Sequence, residues 1–227
     1  MKYIIIVAGG KGNRFKSEIP KQFIELQNLP ILMHTIRAFY QYDKNIEIIV
    51  VLPEEQIEYW KNTCQKYNFF TEYQLVKGGE SRFHSVKNGL ACVKTGGLVG
   101  IHDGVRPLID NETIKRCFEM AEKEGNSIPV VDLVDSMRQI NPDGTSLMVD
   151  RSKYRLIQTP QVFKTELILK AFDQEYQSSF TDDASVFETI FPRSIKLVYG
   201  NRQNIKITTP EDLVYAEAIL KSRDGSF

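Results

Sequence analysis

A chain of 227 residues with 42% hydrophobic and 26% charged side chains carries enough apolar material for one large folded domain, which excludes a disordered protein. Its 29 Lys and Arg balance 29 Asp and Glu, so no global field favours nucleic acid or an anionic membrane, and any anion site must be built locally. Cys64, Cys92 and Cys117 lie far apart without a metal or disulfide spacing; they predict reduced thiols of a cytoplasmic protein and read as small core residues.

In chain order, "YIIIVA" (3–8) opens the sequence as a strand. It is read as a first strand and not as a secretory leader, because its apolar run ends in glycines and charges. No stretch approaches the roughly 20 apolar residues of a membrane helix. Next comes "AGGKGNRF", with "PKQF" shortly after. A dinucleotide fingerprint needs glycine or alanine where Phe15 stands, and a P-loop needs Ser or Thr after its Gly-Lys pair, so neither pattern is met. What remains is a glycine turn after a strand, whose N–H groups converge on an anion. Gly10, Lys11 and Gly12 are its candidate nucleotide contacts, and Arg14 and Lys21 bring cations to the same edge of the sheet.

"IEIIVVL" (46–52) is the next strand, and Ile57, Trp60, Cys64 and Tyr67 follow at helical spacing. "GGESRFHSVKNGL" repeats the loop-then-helix pattern, with Ser85 able to bond a base edge and Val86, Leu90 and Val93 along the helix. "LVGIHD" (98–103) is a strand that ends on Asp103, with Arg106 close behind. That carboxylate can serve Mg²⁺ alongside substrate phosphates, or pair with Arg106, or both. His102 reads as scaffold. Ile114, Phe118 and Ala121 mark a helix, and "SIPVVDL" (127–133) a further strand.

Residues 136–156 break the rhythm: charges alternate with apolar residues around Asn141-Pro142-Asp143-Gly144, which predicts a projecting β-hairpin arm. A lone ribbon is marginal in water, so the arm is expected to pack on a second copy of the chain. Asp182 and Asp183 stand at a helix start, "IKLVYG" (195–200) is the last strand, Lys206 falls in an apolar stretch read as strand, and Thr209-Pro210-Glu211 opens the final helix. Apolar runs that are continuous, not alternating, suit strands covered on both faces, so the expected fold is a three-layer α/β/α sandwich with a mostly parallel sheet, in one domain.

Taken together, "AGGKGNRF", "PKQF", "GGESRFHSV", "HDGVRP", "VDRS", "QTPQ", "FTDDAS" and "NIKITTPEDL" closely resemble, in order, the 2-C-methyl-D-erythritol 4-phosphate cytidylyltransferase family of the non-mevalonate isoprenoid pathway. The resemblance implies a Rossmann-like nucleotidyltransferase fold, CTP as donor, Mg²⁺, and a homodimer interlocked through the arm. It implies that Arg14 and Lys21 stabilise the transition state, and that Ala8, Gly9, Gly79, Glu80 and Ser85 hold the cytidine. Asp103 would lie near metal and ribose. Arg151, from the partner's arm, and Lys206 would grip the polyol phosphate, with Thr159 close by and Ser136 and Arg106 on the same substrate. The rival expectations are a cytidylyltransferase for another polyol phosphate, such as ribitol 5-phosphate, and a non-catalytic nucleotide-binding regulator.

Overall fold

The computed structural model describes residues 1–9, 15, 19–192 and 195–223. Its elements are β1 (Lys2–Val7), β2 (Glu25–Leu26), β3 (Leu29–Pro30), α1 (Ile31–Tyr42), β4 (Glu47–Leu52), α2 (Glu54–Lys66), β5 (Gln74–Lys77), α3 (Arg82–Leu90), β6 (Leu98–Asp103), α4 (Asn111–Glu124) and β7 (Asn126–Asp132). There follow β8 (Met137–Ile140), β9 (Ser146–Val149), β10 (Arg155–Ile157), β11 (Gln161–Lys164), α5 (Thr165–Ala171), α6 (Asp183–Ile190), β12 (Leu197–Tyr199) and α7 (Pro210–Arg223).

Strand side chains alternate between faces, so a run that is apolar at every position needs cover on both sides. In β1, Ile4 and Ile6 enter one core with Leu32 and Phe39 of α1, Trp60 of α2 and Phe118 of α4. Tyr3 and Ile5 enter the other, with Val86 and Leu90 of α3, Ile168 of α5 and Phe187 of α6. This is the three-layer sandwich that the sequence predicted. The strands run in the order β5-β4-β1-β6-β11-β7, and β4, β1, β6 and β5 are mutually parallel. β11 is antiparallel to both β6 and β7. β10 and β12 lie on opposite edges of β7, since both partner Val130.

Between β10 and β11 the register slips. Ile157 faces Val130 whereas Val162 faces Ser127, so the chain gains two residues on β7 across Gln158–Pro160. Such a break re-aims side chains. It carries Thr159 to the backbone of Asp103 at the end of β6, where the Thr159 hydroxyl accepts the Asp103 N–H at 3.1 Å.

Local chemistry sets the ends of the helices. Asp110 accepts the Thr113 N–H at 2.6 Å to start α4, and Gly125, at φ 93°, closes it in the left-handed conformation. At α7, Asp212 accepts from the N–H groups of Thr208 and Thr209 at 2.8 and 2.9 Å. Ala216 of that helix then packs with Leu26, Ile31, Val105 and Ile207 in a separate small core beside the end of β6.

The arm is a hairpin of β8 and β9, with Met137 opposite Val149 and Ile140 opposite Ser146, and Gly144 sits in its turn at φ 82°. Ile140 and Met148 on it are 69% and 78% exposed. Two expectations need correction. Lys206 stands in no strand: residues 204–208 form a connection tied to the domain by Ile207 N–H to the Val105 carbonyl at 2.9 Å. Of the cysteines, Cys117 alone is buried, while Cys64 and Cys92 lie half-buried near the ends of their helices; all three are free thiols. No helix among the described residues is long and apolar enough to cross a membrane.

Candidate active site

At the carboxyl ends of β1, β4 and β6 opens a cleft of about 790 Å³. This is where open α/β sheets bind ligands, because the loops leaving those ends diverge. It is lined by Val7, Ala8 and Gly9 leaving β1, by Gly78 to Ser81 with Ser85 before and in α3, by Lys21 and Gln22, and by Asp103 and Lys206.

The wall before α3 is held by its own side chains. Ser81 caps α3 by accepting from the His84 N–H, and Ser85 Oγ accepts the Gly79 N–H at 3.1 Å. A Cβ on Gly79 would stand 2.4 Å from His84 Cβ, so only glycine lets this loop lie against the helix. The result is a backbone edge with donors and acceptors beside a hydroxyl, suited to a planar base.

Asp103 is the electrostatic centre. Its Oδ2 meets Arg106 Nε and Lys206 Nζ, each at 3.1 Å, and its Oδ1 lies 3.8 Å from Arg82 Nε. Burial alone would raise its pKa, but Arg82, Lys206 and Arg106 outweigh that effect and hold the carboxyl well below the usual range. Arg82 is in turn forked onto Asp183, with bonds of 2.8 and 2.7 Å, at the start of α6. Asp183 is fully buried; burial pushes its pKa up and the Arg82 charge opposes that push. Asp182 caps α6 through Ser185 and also accepts from Gln161. The two neighbouring aspartates thus do different work, one capping and one pairing.

His102 is scaffold, as read from the sequence. It is buried against Phe39, its Nε2 lies 3.1 Å from the Arg106 carbonyl and its Nδ1 lies 3.0 Å from Thr159 Oγ1. Since a carbonyl only accepts, Nε2 carries the proton, and Thr159, already accepting from Asp103 N–H, donates to Nδ1. Burial drops the imidazole to about 4. The Thr159 hydroxyl therefore holds Asp103 and His102 in place.

The cleft brings together Ala8, Gly9, Lys21, Gly79, Glu80, Ser85, Asp103 and Lys206. Arg106 stands behind Asp103, with its second nitrogen on the Asn204 carbonyl at 2.9 Å. Arg151 and Ser136 are not in the cleft: both are exposed at the foot of the arm, and Arg151 Nη1 donates to the Val134 carbonyl. Gly10, Lys11, Gly12 and Arg14 lie outside the described residues. Sequence reading gave no role to Gln22, to Asn204, which donates to the Thr159 carbonyl at 2.9 Å, or to Arg82 as the bridge between Asp103 and Asp183. Their signals were present in the quoted motifs "PKQF", "NIKITTPEDL" and "GGESRFHSV", as polar residues placed among apolar ones.

The family model described as 2-C-methyl-D-erythritol 4-phosphate cytidylyltransferase matches residues 2–222. The chain is 52% identical to the protein of that name from Bacteroides thetaiotaomicron, covering 96% of this chain and 98% of the relative. To the one from Bacillus velezensis it is 34% identical, covering 100% and 99%. Among solved structures it superposes on a 4-diphosphocytidyl-2C-methyl-D-erythritol synthase from Anaerococcus prevotii with a TM-score of 0.81 at 28% identity, over 97% of this chain and 98% of that one. The Thermus thermophilus 2-C-methyl-D-erythritol 4-phosphate cytidylyltransferase gives 0.77 at 27% identity, over 97% and 100%.

Proposed function

The chain belongs to the 2-C-methyl-D-erythritol 4-phosphate cytidylyltransferase family, CTP-dependent nucleotidyltransferases of the non-mevalonate isoprenoid pathway, and from that premise we propose how its cleft works. A phosphate oxygen of 2-C-methyl-D-erythritol 4-phosphate attacks the α-phosphorus of CTP in line. Pyrophosphate leaves, and 4-diphosphocytidyl-2-C-methyl-D-erythritol forms. The observation that carries this reading is that Lys21, Asp103 and Lys206 line one cleft together with the backbone edge at Gly79.

A phosphate monoester, with its second pKa near ~6, is already mostly dianionic at neutral pH, so the reaction needs no proton-abstracting side chain. His102 agrees with that: both ring nitrogens are engaged inside the protein. The obstacle is repulsion between two polyanions, and fixed cations that position both and stabilise the spreading charge remove it. Lys21 serves the α-phosphoryl and leaving pyrophosphate, as does Arg14, which lies outside the described residues. Lys206 serves the polyol phosphate. The base lies against Ala8, Gly9, Gly79 and Glu80, with Ser85 as its hydroxyl partner.

Mg²⁺ commonly sits on one or two carboxylates plus substrate phosphates. Asp103 fits that demand. Its Oδ2 is bonded to Arg106 and Lys206, while Oδ1 lies 3.8 Å from Arg82 Nε, beyond hydrogen-bond length, and is the oxygen that would face the ion. Bound there, it would neutralise phosphate charge.

The exposed arm supports a homodimer. Ile140, Leu147 and Met148 present apolar surface, as do Leu156 and Ile157 at the neighbouring sheet edge. The position of Arg151 and Ser136 outside their own cleft fits their delivery to the partner's substrate. The free cysteines fit a reducing, cytoplasmic setting.

Pyrophosphate release by the purified protein tests the assignment. It is expected with CTP and 2-C-methyl-D-erythritol 4-phosphate together and with neither alone; faster release with ribitol 5-phosphate would move the polyol assignment to that substrate.

A further inference from the structure

Gln22 adjoins the lysine that serves the reacting phosphates, yet its own side chain turns inward and is 1% exposed. Its amide nitrogen donates to the Ala8 carbonyl at the exit of β1 (2.8 Å) and to Gln56 Oε1 in the first turn of α2 (2.5 Å). Both amide hydrogens are thereby committed. Its Oε1 is buried and meets no partner among the described residues. A buried carbonyl without a partner carries a desolvation penalty, so glutamine is a poor filler for this space, which leucine or methionine would occupy without that penalty. What glutamine supplies and they lack is the donor half of the amide.

That donor acts where direction matters. Lys21, Gln22 and Phe23 form a single helical turn. Phe23 anchors it by stacking on Trp60 at 5.7 Å and leaning on Tyr59 at 5.1 Å. Ring packing resists withdrawal of the turn but is non-directional, so it leaves rotation about the anchor weakly opposed. Hydrogen bonds from the preceding residue to β1 and α2 oppose that rotation, and rotation is the movement that would swing Lys21 relative to the nucleotide floor at Ala8 and Gly9.

We propose that Gln22 is a positioning residue: its amide locks the Lys21–Phe23 turn to the end of β1 and to α2 and so fixes Lys21 over the cleft. This rests on the role given to Lys21 above, and the test separates the two.

Gln22→Leu and Lys21→Ala are made singly and together, and cytidylyl transfer and thermal unfolding are measured for each. Gln22→Leu is expected to lower kcat about ten- to hundredfold, the scale of a misplacement near ~1 Å, while KM for CTP moves less than about threefold. In the Lys21→Ala background the same change is expected to alter kcat less than about twofold, because no lysine remains to be misplaced. An equal loss in both backgrounds would overturn the proposal, as would no loss in the parent. Should Gln22→Leu fail to fold, Gln56→Ala, which removes one of the two acceptors, is read the same way: a smaller kcat loss in the parent that vanishes beside Lys21→Ala supports the proposal, and a loss that persists there overturns it. Parental turnover by Lys21→Ala alone defeats the role of Lys21 itself and this proposal with it.

Discussion

The rim of the sheet and the projecting arm are built on opposite terms. At the rim, Asp103 is met by Arg106, Lys206 and Arg82, Arg82 is forked onto Asp183, and Thr159 and His102 brace the strand end. On the arm, Ile140, Leu147 and Met148 face outward, and Asp143 bonds only within its own turn, to Thr145. A buried polar network gains stability when its members satisfy one another, and the partners of Asp103 and Arg82 come from within the same chain. An apolar ribbon gains stability by covering its surface, and the dimer proposed above would supply that cover to the arm. The cations expected on one substrate are divided between the two regions, Lys206 at the rim and Arg151 at the foot of the arm.

The sharpest contrast comes from Lys21→Ala, expected to lower kcat about 10²- to 10³-fold with an unchanged unfolding midpoint, because one fixed donor to the developing charge is lost. Steady-state turnover beside a melting curve checks it, and near-parental kcat would remove the rim from catalysis.

The second prediction concerns pH and belongs to the rim alone. His102 is held down to about 4 from an ordinary 6.5, so between those values the unfolded chain takes up a proton that the folded chain refuses. The stability that neutral His102 contributes is therefore full above about pH 6.5, declines as pH falls, and is gone below about 4, a loss of about 3 kcal/mol from this group. Urea unfolding of the nucleotide-free protein across that range measures it. His102→Asn should flatten the slope, and an unaltered slope would assign the acid sensitivity elsewhere.

Arg151→Ala is expected to raise KM for the polyol phosphate roughly ten- to hundredfold, the worth of a charged hydrogen bond, with little change in kcat. Mixing it with Lys21→Ala sharpens the comparison between regions. If Arg151 serves the partner's cleft, mixed dimers contain one site with both cations, and activity at low substrate returns above that of either variant alone. Unchanged activity on mixing, under conditions where subunits exchange, would place Arg151 in its own chain's site. The smallest effect is expected from Met148→Asp on the arm: a lower mass by light scattering, with circular dichroism unaltered.

How far the sequence carried the reading differs from residue to residue. The strands at 3–8, 46–52, 98–103 and 127–133 were legible because two-sided burial forces uninterrupted apolar runs. The arm was legible from turn chemistry at Asn141 to Gly144, and Asp103 from its place at a strand end beside Arg106. Lys206, which lines the cleft, was misplaced in a strand, since Ile205 and Ile207 turn apolar faces to α7 from an irregular connection, which looks the same in sequence as an edge strand. β11 went unread because a short strand running against its neighbours has no local mark of direction.

The sequence by itself determined the layers of the fold and, through eight ordered motifs, the family. The tertiary structure alone decided that Arg82 reaches Asp183, 101 residues away, and that Gln22 turns in to Ala8 while Lys21 lines the cleft. Local periodicity reports how each segment is buried, whereas a hydrogen bond or ion pair between distant segments depends on which strand ends and helix starts the sheet order makes neighbours, and that order is settled only when the whole core closes.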